Sequence, residues 1–123
     1  MGFTVVNVVV RGSKGEYSLK ALVDTGFYGD LIVRSSGVVE KAGIDFKHER
    51  ARRLPDGKVV KVRYGGGEIE LMDAVTYGDV EVWSQLRLPE DVEALIGVTT
   101  LEKLGFKVDP KTGRLEKVEL YIL

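Results

Sequence analysis

Short runs of β-branched and aromatic residues, separated by turn residues, constrain the fold of this chain most. Such runs favour extended strands, whereas the glycine, proline and aspartate between them favour tight turns. Many short strands at regular spacing are typical of a sheet that closes into a barrel or packs as a sandwich. The predicted strands are residues 3–10, 17–23, 31–33, 46–54, 58–64, 68–74, 80–88, 106–108 and 115–123, with turns at 12–15, 55–57, 65–67 and 109–113. The sequence therefore predicts an all-β fold.

Two segments carry the signals of short helices instead of strands. Ser35 or Ser36 is placed to cap one of them, because serine side chains accept hydrogen bonds from the first backbone amides of a helix. Thr99 and Glu102 have the spacing of a capping box, which predicts a second helix over residues 98–104. One or two short helices are thus expected beside the sheet.

The composition limits the classes of function. A chain of 123 residues with 44% apolar residues is enough for one domain with a core, here residues 1–123. With 18 basic and 19 acidic residues, there is no charge excess that would favour nucleic acid or an anionic membrane as a partner. No apolar run reaches the length of a membrane span, and residues 1–3 lead into a strand rather than a signal peptide. A cytoplasmic location is predicted.

Several kinds of catalytic site are disfavoured by the residues available. The chain has no cysteine and one histidine, His48, so no metal site and no cofactor are predicted. His48 lies near no distinctive serine motif, and the glycine clusters lack the lysine of a phosphate-binding loop. The arginines Arg50, Arg52 and Arg53 are expected to form a solvated strand face.

The run ALVDTGFYGDLIV, residues 21–33, places a carboxylate between two apolar stretches. An Asp-Thr-Gly triplet arises by chance in roughly two or three per cent of chains of this length. In a simple β-turn, the aspartate would accept a local backbone bond and the glycine would be left-handed. That interpretation explains Asp24 and Gly26, but it does not explain the apolar residues on both sides.

The order of motifs along the chain resembles that of the retropepsin-like aspartic proteases, the single-lobed relatives of pepsin. The motifs are ALVDTG and LIV, a Pro-Asp-Gly hairpin about thirty residues later, and ALIG before a short helix. The resemblance extends from about residue 17 to about residue 115 and is most specific at residues 21–26 and 94–97. It implies an acid-protease fold, which is one closed β-barrel half with one or two short helices.

The resemblance implies that Asp24 is catalytic and that residues 95–97 brace its loop. It assigns supporting roles to other residues: Thr25 and Gly26 in the catalytic loop, Leu22 and Leu95 in the substrate pocket, and Asp56 and Gly57 in the flexible flap. Aspartic proteases need two adjacent carboxylates that share one proton, so that one activates water and the other polarises the scissile carbonyl. Because this chain has one triplet, a twofold homodimer that cuts peptides between apolar residues is expected.

The chain departs from the family pattern at two places. Phe27 follows Gly26, where the family usually has alanine or serine, and this predicts a narrower pocket beside the loop. Val98 and Thr99 follow the second motif, where retroviral enzymes have arginine and then asparagine or aspartate. Asp30 is therefore expected to lack the ion-pair partner that the family supplies.

Two other functions remain open at the level of the sequence. One is a binding module of the same fold, which holds an extended peptide by strand addition without cutting it. The intact triplet favours the enzyme, because a module that only binds has little need for a buried acid. The other is a structural β-barrel in which the triplet is a fortuitous turn.

Overall fold

The computed structural model describes residues 4–118, which form mostly strands. The predicted strand ends at Phe3 and at residues 119–123 lie outside this range. The elements along the chain are β1 (Val5–Gly12), β2 (Gly15–Asp24), β3 (Leu31–Val33), α1 (Ser36–Glu40), β4 (His48–Arg53), β5 (Val59–Leu71), β6 (Ala74–Val82), β7 (Ala94–Gly97), α2 (Val98–Leu104), β8 (Phe106–Val108) and β9 (Leu115–Lys117).

Six of these strands form a closed barrel. Their order is β1-β2-β7-β3-β6-β5, and β5 pairs back with β1, where Val10 lies opposite Ile69. Strand β4 pairs with β5 and extends the sheet away from the ring, while β8 and β9 form a separate two-stranded sheet. The prediction of an all-β closed barrel with short helices is confirmed.

The core lies inside the barrel because the strands alternate between buried and exposed residues. In β1, Val8 and Val10 are fully buried, and in β2 the same spacing buries Leu19 and Ala21. Side chains two residues apart share one face of a strand, so these positions all point inward. Leu101 of α2 packs against the same cluster. Within residues 4–118, no helix is long and apolar enough to cross a membrane.

The predicted turn at residues 65–67 is wrong, because β5 runs through these glycines without interruption. A Cβ atom at Gly65 would overlap the carbonyl oxygen of Asp45, so a glycine is needed here for close approach rather than for turning. The chain instead turns at Met72 and Asp73, which have positive φ angles of 50° and 67°. Strand β6 begins after this turn, at Ala74. It ends at Val82 and does not reach residue 88, where the predicted strand ended.

The predicted helix over residues 98–104 is confirmed, but its predicted capping box is wrong. The residue before the helix is Gly97, in an extended conformation, and no side chain caps the first turn. Thr99 already lies inside the helix, because β7 leads into α2 without a connecting turn. Ser35 precedes α1 in the same way, without a side-chain hydrogen bond. Gly105, with a φ of 77°, ends α2 in the left-handed conformation.

Candidate active site

The two sequence motifs lie side by side in the barrel. Strands β2 and β7 run parallel, with Leu22 beside Leu95 and Asp24 beside Gly97. Strand β3 lies antiparallel on the other side of β7, with Leu31 opposite Ile96. The loop from residue 25 to residue 30 therefore crosses the end of β7. Both apolar stretches that flank Asp24 belong to core strands, which is why they are apolar.

The end of β7 braces this loop through backbone contacts. The amide of Val98 donates to the carbonyl of Phe27 at 2.9 Å, and the amide of Gly97 donates to the carbonyl of Asp30 at 2.8 Å. A Cβ atom on Gly97 would lie 2.7 Å from the Phe27 carbonyl oxygen and would also overlap that of Gly29. Only glycine permits this approach, so the two motifs depend on each other.

The carboxylate of Asp24 lies at the end of β2 and is half-buried. Its Oδ1 accepts the amide of Gly26 at 2.9 Å, while its backbone carbonyl accepts the amide of Phe27 at 3.2 Å. Within residues 4–118, no hydrogen bond to its other carboxylate oxygen is found. Gly26 does not have the positive φ that the simple turn interpretation requires. Thr25 and Gly26 are exposed, so the loop that was predicted to be catalytic lies at the surface.

The predicted pocket residues are adjacent to the carboxylate. Leu22 lies two residues before Asp24, so both side chains point to the same face of β2. Leu95 occupies the neighbouring position on β7 and is buried, whereas Leu22 is half-buried. Beyond the triplet, Tyr28 is 78% exposed. An apolar surface thus lies beside the carboxylate.

The predicted hairpin at residues 55–57 is present, and its tip is exposed. The amide of Leu54 donates to the carbonyl of Lys58 at 2.7 Å, which closes the turn. Asp56 accepts the amide of Lys58 at 2.9 Å, and Gly57 has a φ of 88°. Asp56 and Gly57 therefore build the turn itself, and their role as a flap stays a prediction.

Asp30 has partners that the sequence did not predict, although the arginine that it was expected to lack is indeed absent. It is 7% exposed, and α2 supplies the hydroxyl of Thr100 at 2.8 Å and the Nζ of Lys103 at 3.1 Å. The amide of Asp79 donates to its second oxygen at 3.0 Å. Thr100 and Lys103 are three residues apart and so lie on one helix face. The cation that pairs with Asp30 is therefore Lys103 of α2.

Arg50 and Arg52 are half-buried and paired with acidic residues, whereas the prediction had them on a solvated strand face. Arg52 holds Glu81 with two hydrogen bonds, one of them from Nε to Oε1 at 3.0 Å. Arg50 donates from Nη2 to Asp79 at 2.7 Å. Burial lowers the pKa of Arg50, and the hydrogen bond to Asp79 helps to raise it, with an upward net shift. Arg53 is exposed as predicted.

Sequence reasoning missed Thr100, Lys103 and Glu81 as residues of this region. The available signals were weak: a threonine and a lysine three residues apart in a predicted helix, and an acid in an apolar strand. His48 is exposed, and its ring lies 5.3 Å from that of Tyr64. Among residues 4–118, no three histidine, aspartate or glutamate side chains are grouped to hold a metal ion.

No family model matches this chain, and no curated protein matches it either. Its function is therefore inferred from the chemistry of its residues. The arrangement combines a half-buried carboxylate at the end of a core strand, apolar side chains on the neighbouring positions and an exposed hairpin. A carboxylate in such a place can accept or donate a proton.

Proposed function

We propose that the chain is an aspartic endopeptidase in which Asp24 acts together with the Asp24 of a second copy. The observation that supports this most is the state of the Asp24 carboxylate. It is half-buried at the end of a core strand and held by the amide of Gly26. A carboxylate that served only to close a turn would not need the close approach of Gly97 to fix its loop.

Two such carboxylates meeting at a twofold axis would share one proton, because like charges so close cannot both be ionised. The ionised carboxylate takes a proton from a water molecule, and that water attacks the carbonyl carbon of the peptide. The protonated carboxylate polarises the carbonyl oxygen. The proton taken from the water then passes to the leaving amine as the bond between carbon and nitrogen breaks. The products are a carboxylic acid and a free amine. The loop 25–30 holds each carboxylate in place without covering it.

The substrate of this site is an extended peptide with apolar side chains next to the cut bond. Leu22 supplies a partly exposed apolar surface on the same side as the carboxylate, beside the buried Leu95, and Tyr28 in the following loop adds an exposed aromatic ring. The hairpin around residues 55–57 would close over the peptide and exclude water.

A peptide-binding module without catalysis is the second candidate, and the free edge of the sheet favours it. Strand β4 is the last strand of the sheet, and within residues 4–118 nothing pairs with its outer edge. An extended peptide can add to such an edge through backbone hydrogen bonds. This candidate leaves the geometry of Asp24 without a purpose, and it ranks second for that reason.

Cleavage of a broad peptide library at acidic to neutral pH tests the proposed function. Wild type should cut peptides as a dimer, whereas Asp24→Asn should bind them without cutting. Asp73→Asn is the matched control, because Asp73 lies in an exposed turn and asparagine tolerates its positive φ. If wild type is a dimer that binds peptides but cuts none of them, the binding module becomes the better assignment. A monomer that cuts peptides would contradict the shared dyad.

A further inference from the structure

Arg52 lies where three parts of the molecule meet. It belongs to β4, its Nε donates to Oε1 of Glu81 on β6, and its Nη1 lies 3.5 Å from the carbonyl oxygen of Tyr28. Its guanidinium carbon is 5.2 Å from the centre of the Phe27 ring. The same side chain therefore contacts the hairpin strand, the barrel and the loop that follows Asp24.

Glu81 fixes the position of this guanidinium. It is 1% exposed, and an unpaired carboxylate so deeply buried would be strongly unfavourable. The planar fork of Arg52 pairs with both of its oxygens, and the indole Nε1 of Trp83 donates to Oε1 at 3.1 Å. An arginine can bind a carboxylate through two of its guanidinium nitrogens while the third nitrogen stays available for another contact. The single ammonium group of lysine cannot do this. The third nitrogen of Arg52 is the one that faces Tyr28.

The backbone offers the hairpin little other support. Within the described part of the chain, β4 forms its ladder with β5 alone. The contacts from β4 to the loop 25–30 come from the Arg52 side chain, while Arg50 joins β4 to Asp79 on β6. The hairpin that contains β4 and the loop 25–30 are the two walls of the proposed peptide cleft, and one guanidinium joins them.

We propose that Arg52 is a positioning residue that couples the hairpin to the loop carrying the catalytic triplet. When Arg52 is bound to Glu81, it holds β4 and the Tyr28 carbonyl in one arrangement, so that the two walls open and close together. The consequence for catalysis rests on the proposed function, whereas the coupling itself is a property of the folded chain.

Amide hydrogen exchange in Arg52→Lys tests the coupling without any substrate. The amides to follow are Phe27, bonded to the Asp24 carbonyl, and Leu54 and Gly57 in the hairpin. Both sets should exchange faster by about tenfold, because each loses the same restraint. Two controls should leave both sets unchanged: Arg63→Lys, an exposed arginine on β5, and Trp83→Phe, which removes a donor to Glu81 while leaving both hydrogen bonds from Arg52 to Glu81 available.

The proposal is overturned if Arg52→Lys speeds exchange at only one of the two walls or at neither of them. It is also overturned if Trp83→Phe speeds exchange to the same degree as Arg52→Lys. If Arg52→Lys does not fold, Glu81→Gln decides by the same criterion, because it weakens the anchor while keeping its shape. Where wild type cuts peptides, Arg52→Lys should lower kcat and raise KM together for the folded enzyme. A fall in stability with unchanged kcat and KM would reduce Arg52 to a structural role. If wild type cuts no peptide, the proposed function fails, but the exchange result still decides the coupling.

Discussion

Asp24 and Asp30 lie at the two ends of one loop, yet their carboxylates have opposite surroundings. Asp30 is buried and receives hydrogen bonds from Thr100, Lys103 and the amide of Asp79. Asp24 is half-buried, and the hydrogen bond found at its carboxylate comes from Gly26, two residues away. The same type of side chain thus has two different environments within a few residues of sequence, and the proposed function gives a use to each.

The difference shows how a fold can separate support from chemistry. A buried carboxylate with every oxygen bonded is committed to the structure, because breaking any bond leaves a buried group unsatisfied. A carboxylate with an open oxygen can exchange protons and bind another molecule. Asp30 holds the loop against α2 and β6, and Asp24 is presented by the other end of that same loop.

The largest effect should separate the two aspartates by activity. Asp24→Asn should lower peptide cleavage by about 10³-fold or more, because asparagine can neither take nor share a proton. Asp30→Asn should reduce kcat far less when the rate is corrected for the folded fraction. Rates on one peptide, with folding checked by circular dichroism, measure this. Equal losses in the two variants would remove the distinction between them.

Stability should separate the two aspartates in the opposite order. Asp30→Asn should lower the free energy of unfolding by about 2 kcal/mol, because an amide cannot accept from all three donors at this buried site. Asp24→Asn should leave it nearly unchanged, since asparagine can still accept the Gly26 amide. Urea denaturation followed by fluorescence of Trp83 checks both values. A larger loss for Asp24→Asn would mean that Asp24 is the structural carboxylate.

A smaller effect ranks the two α2 partners of Asp30. Thr100→Val should cost about 1 kcal/mol, because Thr100 is fully buried and its hydroxyl contacts Asp30 directly. Lys103→Met should cost less, about 0.5 kcal/mol, because 38% of its side chain is exposed and water screens the pair. Added salt should reduce the loss of stability caused by Lys103→Met but not the loss caused by Thr100→Val. The reverse order of the two costs would show that the ion pair holds the loop.

The smallest effect concerns a third carboxylate, Asp109, which is exposed yet well bonded. Hydrogen bonds from the amide of Lys111 and the hydroxyl of Thr112 lower the pKa of Asp109. Because its folded pKa is depressed, its contribution to stability is present above its usual pKa and is lost as the pH falls through the folded value. Titration of Asp109 by NMR should give a pKa below the ordinary range. An ordinary pKa would show that hydrogen bonds at an exposed site do not lower the pKa.

Local signals in the sequence were enough to predict β1 to β4 and the helix at α2, because each depends on a run of strand-forming residues or on a turn residue at a fixed place. The contact between the two motifs was instead predicted from the family resemblance. The turn expected at residues 65–67 failed because the need for Gly65 comes from Asp45, on another segment of the chain. Local composition carries no information about such a neighbour.

The partners of Asp30 and Glu81 could not be predicted for the same reason. Lys103 is 73 residues from Asp30 in the sequence, and Arg52 is 29 residues from Glu81. A buried charge requires a partner, but the sequence does not say which of many lysines and arginines supplies it. The fold determines that choice by placing β4 and β6 on either side of β5 and by placing α2 directly after β7.

Mixing wild-type and Asp24→Asn chains tests the shared dyad most directly. After the subunits have exchanged, a mixed pair holds one carboxylate, which cannot act as acid and base together. At the same total protein concentration, the activity should therefore follow the square of the wild-type fraction. In an equal mixture it should fall to about one quarter of the activity of wild type alone. As the control, mixing wild type with Asp73→Asn chains instead of Asp24→Asn chains should leave the activity at the full rate. A linear decline with the wild-type fraction would mean that each chain works alone, and it would contradict the pairing of Asp24 across a twofold axis.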